Sequence, residues 1–246
     1  MGTRFTRLSP GTTNCYLLEA DEGYLLVDTG YEDDFDDFRE ELRRRDVAAG
    51  DIEHLLLTHH HDDHAGFVAD LLADTDPEII AHEAAEPLLR TGENDKRHGG
   101  GYLNRRVYYL AKLRKLLNPD WDLTFPPVEL RPDDVRVAGD DDEVLRERGI
   151  EGRILYTPGH TIDSISVMLD DGTTFPGDAA MSWPLWAGIR YCPVFVTDVD
   201  ELYRSWEKLL DDGARTLYPA HGDPFDAERL RENLGAYDDD SLVEFF

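Results

Sequence analysis

Residues 58–66 read Thr58-His59-His60-His61-Asp62-Asp63-His64-Ala65-Gly66. The run follows a short apolar stretch, residues 52–57, and leads into Phe67, Val68, Leu71 and Leu72, whose spacing is helical. A strand, a ligand-rich loop and a helix beginning near Asp63 are expected in that order. Alternate residues of an extended segment point the same way, so His59, His61 and Asp63 share one side while His60 and Asp62 take the other. His64 falls where the chain turns into the helix and can swing back to the first side. Three imidazoles and a carboxylate within six residues are more than one tetrahedral zinc takes from a single loop. The pattern points to two metal ions in one site. His60 is expected to lie behind the ligands or to face solvent.

Working outward, three more loops carry a metal-ligating residue type beside glycine: Thr157-Pro158-Gly159-His160-Thr161, Pro176-Gly177-Asp178-Ala179 and Pro219-Ala220-His221-Gly222. Each follows an apolar stretch, residues 152–156, 173–175 and 216–218. Glycine there lets the backbone come close to a metal without a side-chain clash. The remaining elements read as two series. The first has strands at 3–8, 14–18, 24–27, 52–57 and 78–81, with helices at 35–45 and 83–89. The second has strands at 128–130, 135–137, 152–156, 165–169, 173–175 and 216–218, with helices at 200–210 and 226–234, the last capped by Asp226. Residues 91–127, Gly-rich at His98-Gly99-Gly100-Gly101 and then rich in Arg and Tyr, read either as an insertion or lid, with a helix at 102–117, or as an ordinary pair of surface helices. Two sheets face to face with helices outside both is the layered solution this order suggests, an α/β architecture.

The order and setting of these loops resemble the metallo-β-lactamase superfamily of hydrolases, nearly end to end, from Asn14-Cys15-Tyr16-Leu17 and Val27-Asp28-Thr29-Gly30 to His221-Gly222. The resemblance implies a four-layer αβ/βα sandwich over residues 1–246. It implies that His59, His61 and His160 hold one metal, that Asp63, His64 and His221 hold a second, and that Asp178 bridges them. Asp28 would brace the metal loops. Two zinc ions are implied, with iron or manganese as other occupants. Two such ions share a water and bring its pKa towards 7, giving a nucleophile for a carbonyl or phosphoryl centre. Asp63 would also carry a proton to the leaving group.

Within the superfamily, His61 stands where the flavodiiron branch has Glu, and Asp178 stands where true β-lactamases commonly have Cys. Glyoxalase II-like thioesterases and acyl-homoserine lactonases share the whole ligand set. Glyoxalase II carries a helical domain after the equivalent of His221 that helps bind glutathione; few residues follow His221 here, so a glutathione thioester is not the expected substrate, and Met181 stands where quorum-quenching lactonases carry Tyr. The expectation is a zinc-dependent hydrolase of a small carbonyl substrate, a thioester or a lactone. A mononuclear-iron enzyme resembling persulfide dioxygenases is the alternative, and a non-catalytic metal-binding protein the third. Trp183, Trp186 and Tyr191 either line a substrate pocket or pack in the core. His54, His82 and His98 read as structural, and nothing marks Cys192 as a nucleophile.

Composition narrows the partners. The 246 residues hold 25 basic and 53 acidic side chains, a formal net charge of −28, and the only lysines are Lys96, Lys112, Lys115 and Lys208. Acid spread along the chain resembles the surface of a protein from a salt-loving organism, and it disfavours nucleic acid or an anionic membrane as partner. A small-molecule substrate is expected; the oligomeric state is not legible. Cys15 and Cys192 give no disulfide framework. Residues 1–7 lack the apolar core of a signal peptide, so a cytoplasmic location is expected.

Overall fold

The computed structural model describes residues 2–95, 98–119 and 122–244. Strands β1 (Phe5–Leu8), β2 (Cys15–Glu19) and β3 (Tyr24–Val27) open the chain, followed by helix α1 (Phe35–Arg43) and strand β4 (Ile52–Leu56). Helices α2 (Asp62–Ala65) and α3 (Val68–Asp74), strand β5 (Glu78–His82) and helix α4 (Glu86–Thr91) come next. Strand β6 (Gly101–Tyr102) and helix α5 (Arg105–Leu117) lie in the 91–127 segment. Then come β7 (Val135–Val137), β8 (Gly152–Tyr156), β9 (Ile165–Leu169), β10 (Thr173–Phe175) and β11 (Phe195–Val196). Helix α6 (Val199–Asp211), β12 (Thr216–Leu217), β13 (Phe225–Asp226), α7 (Glu228–Asn233) and β14 (Val243–Glu244) end the chain.

The strands form a six-stranded sheet, β1-β2-β3-β4-β5-β7, a five-stranded sheet, β13-β12-β10-β9-β8, and a small sheet, β11-β6-β14. The period of two sorts side chains between layers. Tyr16 and Leu18 of β2, Leu25 and Val27 of β3, and Ile165, Val167 and Leu169 of β9 meet in one cluster between the two large sheets. Their alternates, Cys15, Leu17 and Leu26, pack outward with Phe38 of α1 and Leu71 of α3. Leu155 and Met168 pack outward on the other side with Leu202, Trp206 and Leu209 of α6. Helix, sheet, sheet, helix is the four-layer sandwich expected. Strands buried on both faces read as near-continuous apolar runs for this reason.

Two expectations are corrected. Residues 128–130 form no strand: Pro126 and Pro127 precede them, and the Val128 N–H donates to Leu89 O at the end of α4 (2.9 Å) instead of joining a ladder. Helix α7 starts at Glu228 because Asp226 is paired in β13 with Thr216, although Asp226 Oδ1 still accepts from Glu228 N–H (2.8 Å). The small sheet was not anticipated, since two-residue strands carry no period. Residues 91–127 leave and rejoin the body at a neck, where Asn94 N–H donates to Leu123 O (3.0 Å) and Phe125 N–H to Gly92 O (2.9 Å). Parts of that expectation, at residues 96, 97, 120 and 121, lie outside the described residues. Among the described residues, no helix is long and apolar enough to cross a membrane.

Candidate metal centre

The site lies where strand ends meet. Strands β3 and β4 are parallel, and β8, β10 and β12 run in a common direction through the antiparallel β9. Asp28 follows β3, the histidine run follows β4, and His160, Asp178 and His221 follow β8, β10 and β12. The Ile165 N–H donates to Thr58 O (2.9 Å), so the two sheets are tied beside the histidine loop.

All seven expected ligands converge. His160 Nε2 lies 3.2 Å from His59 Nε2 and 3.1 Å from His61 Nδ1. Two nitrogens on a tetrahedral zinc at ordinary bond lengths stand about 3.3 Å apart. On the other side, His221 Nε2 lies 3.1 Å from Asp63 Oδ2, and His64 Nε2 lies 3.8 Å from Asp63 Oδ1. Asp178 stands between: its Oδ1 is 3.4 Å from both His64 Nε2 and His221 Nε2, and its Oδ2 is 3.7 Å from His160 Nε2. The trios His59–His61–His160, Asp63–His64–His221 and His59–His64–Asp178 each have the compactness to hold an ion.

The residues behind the ligands fix which nitrogen faces inward. Asp28 Oδ1 accepts from Thr58 N–H (2.7 Å), and its Oδ2 accepts from Thr58 Oγ1 (2.7 Å) and His64 Nδ1 (2.9 Å). Having given its proton to Asp28, the Thr58 hydroxyl accepts from His59 Nδ1 (3.1 Å). His160 Nδ1 donates to Phe195 O (2.8 Å) in the small sheet, and His221 Nδ1 to Thr12 O (3.2 Å). In these four histidines Nδ1 is the donor held from behind and Nε2 is the nitrogen turned inward, available as a ligand when the ring is neutral, the usual outer support of a metal-ligating imidazole. His64 Nε2 and Asp178 Oδ1 are buried and partnerless, which among the described residues makes them two of four such side-chain atoms. Buried polar atoms are seldom orphaned, and a cation between them satisfies both. The nitrogen and oxygen donors therefore fit zinc, iron or manganese.

Electrostatics agrees with that fit. Burial first, then neighbouring imidazoles, push His59 and His61 well below the usual histidine range, and burial also lowers His160. These rings are neutral near pH 7 and free to ligate. Burial opposes charge on Asp63 and Asp178, but His64 and His221 outweigh it and hold both carboxyls well below the usual range. Burial likewise opposes charge on His64 and His221. Asp28, Asp63 and Asp178 together raise His64, and Asp178 and Asp63 raise His221 to about 9.

The loops are pinned from both layers. Asn14 Nδ2 donates to Pro219 O (3.1 Å) and Gly222 O (2.8 Å), and Tyr16 OH donates to Pro219 O (2.8 Å), holding the His221 loop. Trp206 Nε1 of α6 donates to Ala179 O (2.7 Å), and Ser205 Oγ to Pro158 O (2.7 Å). The glycines serve neighbours rather than the metal directly. At Gly177, with φ +52°, a Cβ would stand 2.4 Å from Thr58 Oγ1, the hydroxyl that serves Asp28 and His59. At Gly159 it would stand 2.4 Å from Leu202 N.

His60 and Asp62 face away from the donor groups, but neither is solvent-facing. His60 Nδ1 donates to Asp163 Oδ1 (2.9 Å), both side chains wholly buried, and Asp163 Oδ2 accepts from His60 N–H (2.9 Å). His60 Nε2 accepts from Asp95 N–H (3.0 Å). Asp62 and Asn94 exchange two hydrogen bonds, N–H to Oδ1 (2.8 Å) and Nδ2 to Oδ1 (2.6 Å). Residues 60 and 62 thus latch the start of the 91–127 segment over the centre. Sequence reasoning missed Asp163, Asn94 and Asp95; Asp163, three residues after His160, carried the one available signal.

Above the donors lies a cavity of about 760 Å³. His61, Asp63, His160, Asp178 and His221 reach it. Helix α5 supplies Val107, Leu110, Ala111 and Arg114 as one wall, and the segment Trp183-Pro184 with Trp186 and Met181 supplies another. Trp183 and Trp186 are therefore pocket residues. Tyr191 is not among the lining residues and packs on Phe225, ring centroids 4.6 Å apart. Tyr31 lines the cavity and accepts from Arg114 Nη2 through its hydroxyl (3.2 Å). His82 stacks on Tyr156 with centroids 4.5 Å apart, and Cys192 is buried.

A family model described as "Metallo-beta-lactamase superfamily" matches residues 8–221. A "Beta-lactamase-like protein 2 homolog" of Drosophila melanogaster is 28% identical over 85% of this chain and 58% of its own. A protein named "Thioesterase pkgB" of Emericella nidulans is 25% identical over 89% of this chain and 50% of its own. The chain thus spans a little over half the length of the curated relatives it matches. Among solved structures, a metallo-beta-lactamase family protein of Thermus thermophilus superposes with a TM-score of 0.62 at 24% identity, covering 96% of this chain and 78% of that one. That likeness is one of fold.

Proposed function

The chain belongs to the metallo-β-lactamase superfamily, and from that premise we propose a hydrolase that holds two zinc ions and cleaves a thioester or a lactone. The observation that carries the reading is the division of Asp178 between two donor groups, Oδ1 towards His64 and His221 and Oδ2 towards His160. His59, His61 and His160 would hold the first ion, Asp63, His64 and His221 the second, with Asp178 spanning both. A closed structural zinc takes four donors; seven donors around two ions leave positions for water and substrate. Zinc in this site supplies a water of lowered pKa and polarises the substrate carbonyl.

The chain's own residues do the rest. Asp28 and Thr58 hold His64 and His59 with Nε2 inward, so the donors need no reorganisation when substrate arrives. Asp63 reaches the cavity and can take a proton from the attacking water and pass it to the departing sulfur or oxygen. Helix α5 and the tryptophan segment orient the substrate and exclude water above the donors. The thioesterase among the relatives supports the thioester over the lactone.

The test is turnover of zinc-loaded protein on matched short thioesters, lactones and oxygen esters. Hydrolysis of a thioester or lactone, lost in the double variant His59→Ala with Asp178→Ala, is the expected result. Full metal loading with no turnover on any of them would overturn the reading and leave a non-catalytic metal protein.

A further inference from the structure

The cavity is larger and more apolar than the cleavage of a small ester requires. Val107, Leu110 and Ala111 stand at i, i+3 and i+4 on α5, so they form one face of that helix. The same cavity is lined by Met181, Trp183 and Trp186. Trp183 is 55% and Trp186 66% exposed, although both rings border a cavity. Large apolar surface left uncovered at a cavity rim marks a ligand groove.

The charged groups of the lining point the same way. Apart from the expected ligands they are Asp62, Asp95, Glu244 and Arg114, three acids against one base. The base already donates to Tyr31, and Asp62 is engaged with Asn94. Such a lining offers little to a substrate bearing several carboxylates or phosphates near its reacting bond. It offers burial to an uncharged hydrocarbon.

We propose that the substrate's acyl group is a long hydrocarbon chain, of decanoyl rather than acetyl size, seated between α5 and the Trp183–Trp186 segment with its carbonyl at the donor groups. This rests on the hydrolase reading above and adds the substrate's chemical class. Each methylene drawn out of water into such a cleft strengthens binding by a few-fold. The tryptophan rings become covered as the chain enters.

Zinc-loaded protein is assayed on thioesters of one small neutral thiol with acetyl, butanoyl, hexanoyl, octanoyl and decanoyl groups, below micelle-forming concentrations. Expected is a kcat/KM that rises on the order of threefold per methylene. Trp186→Ala, at an exposed position that spares folding, lowers the decanoyl-to-acetyl ratio at least fivefold, and Leu110→Asp lowers it further. Binding is read separately as quenching of tryptophan fluorescence by decanoate against butanoate. Tighter binding of decanoate without turnover would support the chain site while defeating the hydrolase reading. Turnover with a flat acyl profile, or a preference that follows the thiol instead, would overturn the inference and leave the hydrolase standing. Equal or absent quenching by both acids would also overturn it.

Discussion

His64 donates from Nδ1 to Asp28 Oδ2 across 2.9 Å, which turns its other nitrogen, buried and partnerless, towards Asp178. Asp28 holds this position with a left-handed backbone, φ 59°, at the end of β3. The carboxylate therefore orients two imidazoles at once, His64 directly and His59 through Thr58. Asp28→Asn keeps the shape, and asparagine tolerates the left-handed region, but its NH2 must replace either Oδ1, which accepts from Thr58 N–H, or Oδ2, which accepts from His64 and the Thr58 hydroxyl, so at least one accepted bond is lost. Zinc affinity should fall about 10- to 100-fold, measured by competition with a chromophoric chelator.

His60 tests the alternation of the histidine loop. Its ring is buried against Asp163 and outside the donor groups. His60→Ala should keep the wild-type zinc content while losing about 3 kcal/mol of stability, because an ionised Asp163 is left buried without its partner. His61→Ala should do the reverse, losing metal with little loss of fold. Metal analysis and urea unfolding on both variants check the pair; loss of metal from the His60 variant would overturn the assignment.

The metal-free protein should be most stable near pH 6.5. His64 and His221 are raised, the latter to about 9, while His59, His61 and His160 are lowered. Unfolding returns all five to about 6.5. The raised pair contributes stability that is present in full below 6.5 and lost as the pH rises through their folded-state values, about 9 for His221. The lowered three are neutral in the folded chain, so their contribution is present above 6.5 and lost below it, as the unfolded chain takes up protons first. Zinc should remove the alkaline loss, because ligation already requires neutral imidazoles. Thermal melts from about pH 5 to pH 9, with and without chelator, check this; a chelated protein that gains stability steadily up to pH 9 would contradict it.

Legibility in the sequence followed the range of the interaction. Strands β3, β7, β8, β9 and β10 match their expected ranges residue for residue; β9 is buried on both faces throughout, and the single arginines in β7 and β8, Arg136 and Arg153, interrupt their apolar runs without ending them. The convergence of His59, His61, Asp63 and His64 was legible because it is local, and that of His160, Asp178 and His221 because each ends a strand. What stayed hidden depends on partners far along the chain. The burial of His60 needs Asp163, 103 residues on. The small sheet joins residues 101–102 to 195–196 and 243–244, and its strands are two residues each. The roles of Trp183 and Trp186 were undecided in the sequence because a core tryptophan and a rim tryptophan look alike until the cavity they share with α5 is formed.

The central claim is that Asp178 joins two metal sites, and metal stoichiometry tests it most directly. Chelated protein reloaded with zinc and freed of excess should carry two ions per chain by mass spectrometry, and His59→Ala combined with Asp178→Ala should retain none. One iron per chain in protein purified without added metal, with oxygen uptake on a persulfide and no hydrolysis of thioester or lactone, would contradict the account.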